Sequence, residues 1–440
     1  MALSLTTAFL LIVILGARIL QGSWTAPGAF FGLIWMIASV PAVIVLPSYV
    51  SPATMLLIAS FIVAMVLGSQ ITLQRRPMPE PLPAPVGVRP RPVPKLRGLS
   101  VAVLIFALGG FSASVGYVWD AGYSLMDLAD GETWLDLAIH YSAARYHGDY
   151  VEPLAVRFLL ASNFVGALVG GMLVALARTT LVRIIGALPV FAGALITVIT
   201  TAKSPMLLAG VFVLSGWLAH RASIGTSLER PPTARRWLLV GAGVAAMGVI
   251  GTASLALRYG TDTTDAALLT ERIAGYVFGH MIALSAWLST ENWSLFTPTW
   301  GAFTFAGLFE FLGLSRRAAG LYDPIGLNDW SAESNVFSAL RGVIGDFSLI
   351  GGWALTVLVG AGAGRAYSRL RAGTGTVLSR LGLAIYYAVA CWSPIVSILS
   401  YNVMLLAIVV AAITLLLASR LFEADRESRR PGNQLSSESF

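Results

Sequence analysis

The sequence predicts an all-α, polytopic membrane fold, and three observations carry that prediction. Of its 440 residues, 56% are hydrophobic and only 12% are charged. Apolar runs of 18 or more residues recur, each long enough to cross a hydrocarbon core of about 30 Å as a helix. Lys and Arg also cluster in a few short segments between those runs. Backbone polar groups in lipid must be satisfied within each segment, so spans of this kind are helices.

Taken in order, the spans are predicted at 6–22, 27–46, 52–72, 99–118, 154–177, 180–201, 205–220, 237–257, 347–366, 381–399 and 403–420. That is about 11, within a range of 10 to 14, because a helix boundary or a buried pair is easily misjudged from hydropathy. The first, around Thr6–Ile19, has no basic segment before it and no evident small-residue cleavage site, so it is expected to be a retained span rather than a signal peptide. Residues 1–72 thus form N-terminal transmembrane helices. Residues 73–98 are a linker holding five arginines, Lys95 and eight prolines, an extended composition rather than a helical one. A transmembrane core covers 99–420, and 421–440 is a polar tail predicted to be disordered.

Orientation follows from the basic residues. Arg75–Arg97, Arg221–Arg236, Arg365–Arg380 and Arg420–Arg430 all fall on one side if the spans alternate, and that side is expected to be the cytoplasm. The net charge of +7 is accounted for by this sorting, so it gives no reason to invoke nucleic acid. Two long loops, 119–153 and 258–346, lie on the other side and hold seven and nine acids, 16 of the 22 in the chain. Within the second, 273–289 and 300–314 are apolar enough to be interfacial or re-entrant helices. A single true span there would invert the remainder.

Eight cations break the sorting: Arg145, Arg157, Lys203, Arg258, Arg272, Arg316, Arg317 and Arg341. Lys203 sits in the turn Thr200–Pro205 between two spans, either snorkelling to headgroups or holding a phosphate at a cavity mouth. Arg341 lies between Glu333 and Asp346, and helical spacing would place Glu333, Phe337, Leu340 and Arg341 on one face. An ion pair with either acid and a substrate contact are both open to it. Arg258, Arg272 and Arg157 are further phosphate candidates, against snorkelling or local pairing. Arg316 and Arg317 suit interfacial anchors. Arg145 belongs to Trp134–Tyr150, an aromatic, amphipathic stretch that suits a surface helix. Glu333, Asp346, Glu152, His140 and His280 are the candidate proton acceptors, with Glu333 favoured. His280, in an apolar run, is equally at home as a packing residue. The lone Cys391 and the four histidines have no metal-ligand spacing, so no metal and no cofactor is expected.

The stretch Glu333-x-Asn335-Val336-Phe337, followed by Leu340-Arg341 and Asp346-Phe347, resembles the outer-loop signature of Wzy-type O-antigen and oligosaccharide repeat-unit polymerases. The number of spans, the two outer loops and the basic residue at Lys203 add to the resemblance. Two positions depart from it: Ser348 where glycine is expected, and Lys203 where arginine is common. The resemblance implies a GT-C-type glycosyltransferase of the bacterial inner membrane, facing the periplasm. Its substrates would be undecaprenyl-diphosphate-linked oligosaccharides, and its partner a chain-length regulator, with neither metal nor nucleotide sugar. In that setting Glu333, Arg341 and Asp346 would be catalytic. Lys203, Arg258, Arg272 and Arg157 would bind diphosphate. Asn335, Trp330, His280, Arg145 and Glu152 would contact glycan or serve as base. An O-antigen ligase and a lipid or solute transporter are the rival readings. The ligase calls for an essential outer-loop histidine, for which only His280 is available. The transporter calls for internal repeats and charges deep in spans.

Overall fold

The computed structural model describes residues 1–73, 96–147, 152–223, 241, 243, 245–246, 248–254, 266–290, 298–314, 325–326, 333–334 and 336–428. Thirteen α-helices are described: α1 Ala2–Gln21, α2 Pro27–Val45, α3 Pro52–Leu73, α4 Leu96–Asp120, α5 Gly131–His147, α6 Leu154–Leu176, α7 Thr180–Thr200, α8 Ser204–Ser223, α9 Ala266–Thr290, α10 Ala306–Phe311, α11 Ala339–Arg371, α12 Val377–Trp392 and α13 Asn402–Ser428. A two-residue antiparallel ribbon, β1 Ile325–Gly326 with β2 Glu333–Ser334, is the sheet among the described residues. Residues 248–254 are also helical.

Eight of the described helices (α1–α4, α6–α8 and α11) are long and apolar enough to cross a membrane. The chain is therefore an all-helical, multi-pass membrane protein. Ten of the 21 residues of the expected span 237–257, the linker at 74–95 and the tail beyond Ser428 lie outside the described residues. The expected spans 381–399 and 403–420 differ in detail. α12 stops at Trp392, a short 3₁₀ turn follows at Ile398–Ser400, and α13 starts at Asn402. α13 then continues as helix through Ser428, into the segment expected to be a tail.

Close backbone contact holds the bundle together. A Cβ on Gly68 of α3 would fall 2.0 Å from the Val357 carbonyl oxygen of α11, so only glycine permits this crossing. Small residues at helix crossings let membrane helices gain dispersion contact where lipid supplies no hydrophobic drive. Because α3 packs on α11, the N-terminal helices are part of the same bundle as the segment expected to be the core.

The first long loop contains α5, in accord with the helix expected at Trp134–Tyr150. Its entry is pinned by Asp127, whose carboxylate accepts the Ser124 backbone N–H at 2.7 Å; that bond holds the carboxyl below its usual range. In the second loop, 273–289 is helical within α9, as expected. By contrast, only Ala306–Phe311 of the stretch 300–314 is helical. Trp300 (φ 51), Gly301 (φ 100) and Gly313 (φ 70) adopt left-handed backbone that ends a helix on either side. The expected helical face from Glu333 to Arg341 is also corrected. Glu333 is in β2, Val336–Ser338 are irregular, and the helix begins only at Ala339.

α11 is two helices joined at a break. Ser348 has φ 67 and ψ 175, a backbone region that only glycine enters at low cost. This is the position where the resembled signature calls for glycine. The Ser348 hydroxyl accepts the Gly351 backbone N–H at 3.2 Å, capping the second helix. Residues 339–347 thus form a short helix carrying Arg341 and Asp346, and 349–371 form the span.

Candidate functional site

The site is organised by α9. One face of this helix is fixed to the bundle through Ser285. Its hydroxyl bonds Thr54 Oγ1 at 2.8 Å and accepts the Ser51 backbone N–H at 3.2 Å. The opposite face carries Tyr276, His280 and Trp287. With 3.6 residues per turn, His280 is displaced by about 40° and Trp287 by about 20° from Tyr276, so the three form a stripe. Ser285, about 180° from Tyr276, is on the anchored side.

Two of the topologically misplaced cations meet this stripe. The Lys203 ammonium lies 3.6 Å from the centroid of the Tyr276 ring. The Arg341 guanidinium lies 3.7 Å from the Phe337 ring centroid and 5.6 Å from that of Trp287. A cation over an aromatic face is held by the ring quadrupole, worth about 0.5–2 kcal/mol with the larger figure for desolvated pairs. Tyr276 and Trp287 are 11 residues apart, about 16 Å along the axis. His280 lies between them, only 9% exposed, and its Nε2 is buried without a hydrogen-bond partner among the described residues.

Position 203 is presented by a strained turn. Thr201 has φ 55, and its carbonyl accepts the Ser254 hydroxyl at 3.1 Å. The end of the segment 248–254 therefore braces the turn that carries Lys203. Arg341 is placed by the first turn of α11, whose Ala339 N–H is bonded to the Ser393 carbonyl at 2.8 Å, after the end of α12.

Asp346 has a different setting. Five residues beyond Arg341, it lies about 140° around the helix. It is fully buried, and its carboxylate accepts the Thr299 hydroxyl at 2.5 Å, the Phe303 N–H at 3.0 Å and the Thr304 N–H at 2.6 Å. The Gly345 and Asp346 carbonyls, at the broken helix end, take the Thr299 and Trp300 N–H groups. Asp346 therefore positions the turn at 299–304. Beside this junction a cleft of about 310 Å³ opens between Pro298, Trp300, Phe347, Gly351, Leu355 and Leu358. It is almost wholly apolar and runs along the start of the span.

The other expected residues are distributed as follows. Glu333 lies in the ribbon, its backbone paired with Gly326, and both strands pack against α9. Arg272 is on α9, one turn before Tyr276. Of Glu333, Arg272 and Arg145, only the backbone is described; Arg258, Trp330, Asn335, Arg316 and Arg317 lie outside the described residues. Glu152 accepts the Tyr117 hydroxyl; Tyr117 packs edge-on against Tyr141, which in turn contacts His140 in α5. Arg157 lies in the first turn of α6. This group belongs to the α4–α5–α6 side, whereas Lys203, Arg341 and the Glu333 backbone converge on α9. Among the described residues, no three His, Cys, Asp or Glu side chains gather as a metal site.

Tyr276, Trp287 and Thr299 were not anticipated. The aromatics lie in an apolar run, where Tyr and Trp ordinarily read as interfacial anchors. Their eleven-residue spacing, with a histidine between, was the available signal. No protein-family model, no curated protein and no solved structure matches the chain.

Proposed function

We propose that the protein is a membrane glycosyltransferase of the GT-C type that polymerises lipid-diphosphate-linked oligosaccharide repeat units. In this reading it lies in a bacterial inner membrane, with about eleven spans and the α9 stripe facing the periplasm. The observation that carries the reading is the placement of Lys203 and Arg341 against Tyr276 and Trp287, two rings of one stripe of α9 whose positions are about 16 Å apart along the helix axis. A polymerase has two lipid-diphosphate substrates, separated at reaction by the length of the acceptor's glycan. We assign Arg341 to the departing diphosphate and Lys203 to that of the acceptor.

In the transfer, an acceptor hydroxyl oxygen attacks the anomeric carbon of the donor. The carbon–oxygen bond to the lipid diphosphate breaks, and that oxygen leaves with the electron pair. A fixed guanidinium stabilises the growing negative charge. The hydroxyl proton passes to a base, for which we name Glu333, with His280 as the alternative on the same helix stripe. The apolar cleft at Trp300 and Leu358 suits an isoprenoid tail. The ligase reading leaves Lys203 without a second lipid diphosphate, and is the runner-up. A chain-length regulator is the expected partner.

The test is a deletion strain examined by lipopolysaccharide gel. Loss of a polymerase leaves a single repeat unit on the core; loss of a ligase leaves core alone. An unchanged ladder would remove the polymerase reading.

A further inference from the structure

The opposite end of the bundle holds a cluster that this function does not use. α8 ends there with His220 and Arg221, and α12 begins there with Arg380 in its first turn, the two helices packing side by side. His220 is within electrostatic reach of both arginines. It is 6% exposed, and its Nε2 is buried with no hydrogen-bond partner among the described residues. The Arg380 Nε is likewise buried without a hydrogen-bond partner among the described residues. Arg221 lies over the Trp217 ring, 5.4 Å from guanidinium to centroid.

Topological sorting explains why this end is basic, and a cation in the last turn of α8 also complements the helix dipole. Neither explains burial. Arginines that only mark the cytoplasmic side serve equally well in water, whereas a charged N–H buried without an acceptor is destabilising. Of the carboxylates whose side chains are described, Asp120 to Asp136, Glu152, Glu310 and Asp346 belong to segments at the other end, while the last turns of α13 bring the backbone of Glu423, Asp425 and Glu427 to this one. The α12 N-terminus adds the positive end of its dipole beside Arg380; Thr376 caps it by accepting the Ser379 N–H at 3.2 Å.

We propose that His220, Arg221 and Arg380 form a binding site for a phosphate group. The fork of Arg380 offers donors matched to phosphate oxygens, and the buried His220 Nε2 is a further polar atom beside it. A basic pocket between spans at a membrane surface is suited to an anionic lipid headgroup, and free phosphate shares the same chemistry.

Thermal unfolding of the purified full-length protein in detergent tests this, with native mass spectrometry of bound lipid alongside. The probes are phosphatidylglycerol, phosphatidylcholine and inorganic phosphate. We expect phosphatidylglycerol to raise the midpoint by several degrees and to remain bound, with no shift from phosphatidylcholine. Arg380→Gln should abolish the shift. His220→Asn, which leaves every arginine in place, should at least halve it. Arg369→Gln, at the same end of the bundle, should keep it. An equal shift from inorganic phosphate alone identifies a free anion as the occupant. The proposal is overturned if both lipids act alike, if neither lipid nor phosphate acts, or if either the Arg380 or the His220 variant retains the full shift. It is also overturned if neutralising one of the chain's own acids near this end, Glu229→Gln outside the described residues or Glu423→Gln, Asp425→Asn or Glu427→Gln in the last turns of α13, removes the same stability as Arg380→Gln, with no further loss in the double variant. In that case the chain supplies its own anion.

Discussion

Arg341 is stacked against Phe337, with its guanidinium 3.7 Å from the ring centroid and the Trp287 ring on α9 also within 5.6 Å. The planar group is therefore held by shape as well as charge. Lysine preserves the charge but not the stacked fork. Arg341→Ala should abolish polymer at normal protein levels, and Arg341→Lys should lower polymerisation at least tenfold. Both are read from gel ladders normalised by immunoblot. A near-normal ladder for the alanine variant would leave Arg341 with a structural role only.

Tyr276 supports the Lys203 ammonium through its ring face, at 3.6 Å. Tyr276→Phe keeps that face and should preserve activity within about twofold, given how small the change in a cation–ring contact is. Tyr276→Leu and Lys203→Gln should both raise the concentration of lipid-linked acceptor needed for half-maximal rate. Their maximal rates should change less. Purified enzyme with a synthetic acceptor provides the measurement. A fall in maximal rate alone, with acceptor affinity intact, would contradict the acceptor assignment.

Asp346 offers two carboxylate oxygens to two backbone N–H groups, Phe303 on one and Thr304 on the other. Asparagine supplies one acceptor and turns an N–H₂ toward the second donor. Asp346→Asn should therefore cost about 1–3 kcal/mol, the penalty for an unsatisfied buried donor. Heat inactivation and loss of activity should run in parallel. An Asp346→Asn protein with native thermal stability and no activity would instead place the carboxylate in the chemistry.

Ser348 occupies backbone space that costs a non-glycine residue about 1–3 kcal/mol. Ser348→Gly removes that strain and forfeits the hydroxyl cap on Gly351. The net expectation is a gain in stability of about 1 kcal/mol or less, since a cap is typically worth about 1 kcal/mol. Ser348→Ala keeps the strain and loses the cap, so it should unfold at a lower temperature than the parent. Detergent thermal shift assays rank the three proteins, and an order with alanine above glycine would refute the argument.

Much of the bundle was legible because hydropathy and positive charge act over whole segments. The boundaries of α2, α3, α6 and α7 fall within a few residues of the expected spans, since lipid demands an unbroken apolar run. The site was legible in part. Lys203 and Arg341 stood out as cations without a topological reason, and the structure brings both to α9. What local pattern could not show was long-range. The turn at 299–304 bonds to Asp346, more than forty residues on, so the hydrogen bonds that consume its carboxylate leave no mark near it. Helical spacing likewise failed between Glu333 and Arg341, because the ribbon pairs Glu333 with Gly326, a partner no periodicity encodes. The departure at Ser348 was visible as a missing glycine, and its backbone angles supply the reason.

The break at Ser348 also resets the angular phase of α11. In a continuous helix, the side of the span that faces lipid would dictate where Arg341 points, one residue shifting it by about 100°. One non-helical residue removes that coupling. The span after Ser348 is free to meet α3 through its own glycines, while the short helix before it is set by Ser393 and the 299–304 turn. Lipid contact and the placement of Arg341 are thereby two separate problems for this stretch of chain, and substitutions that tune one can leave the other untouched.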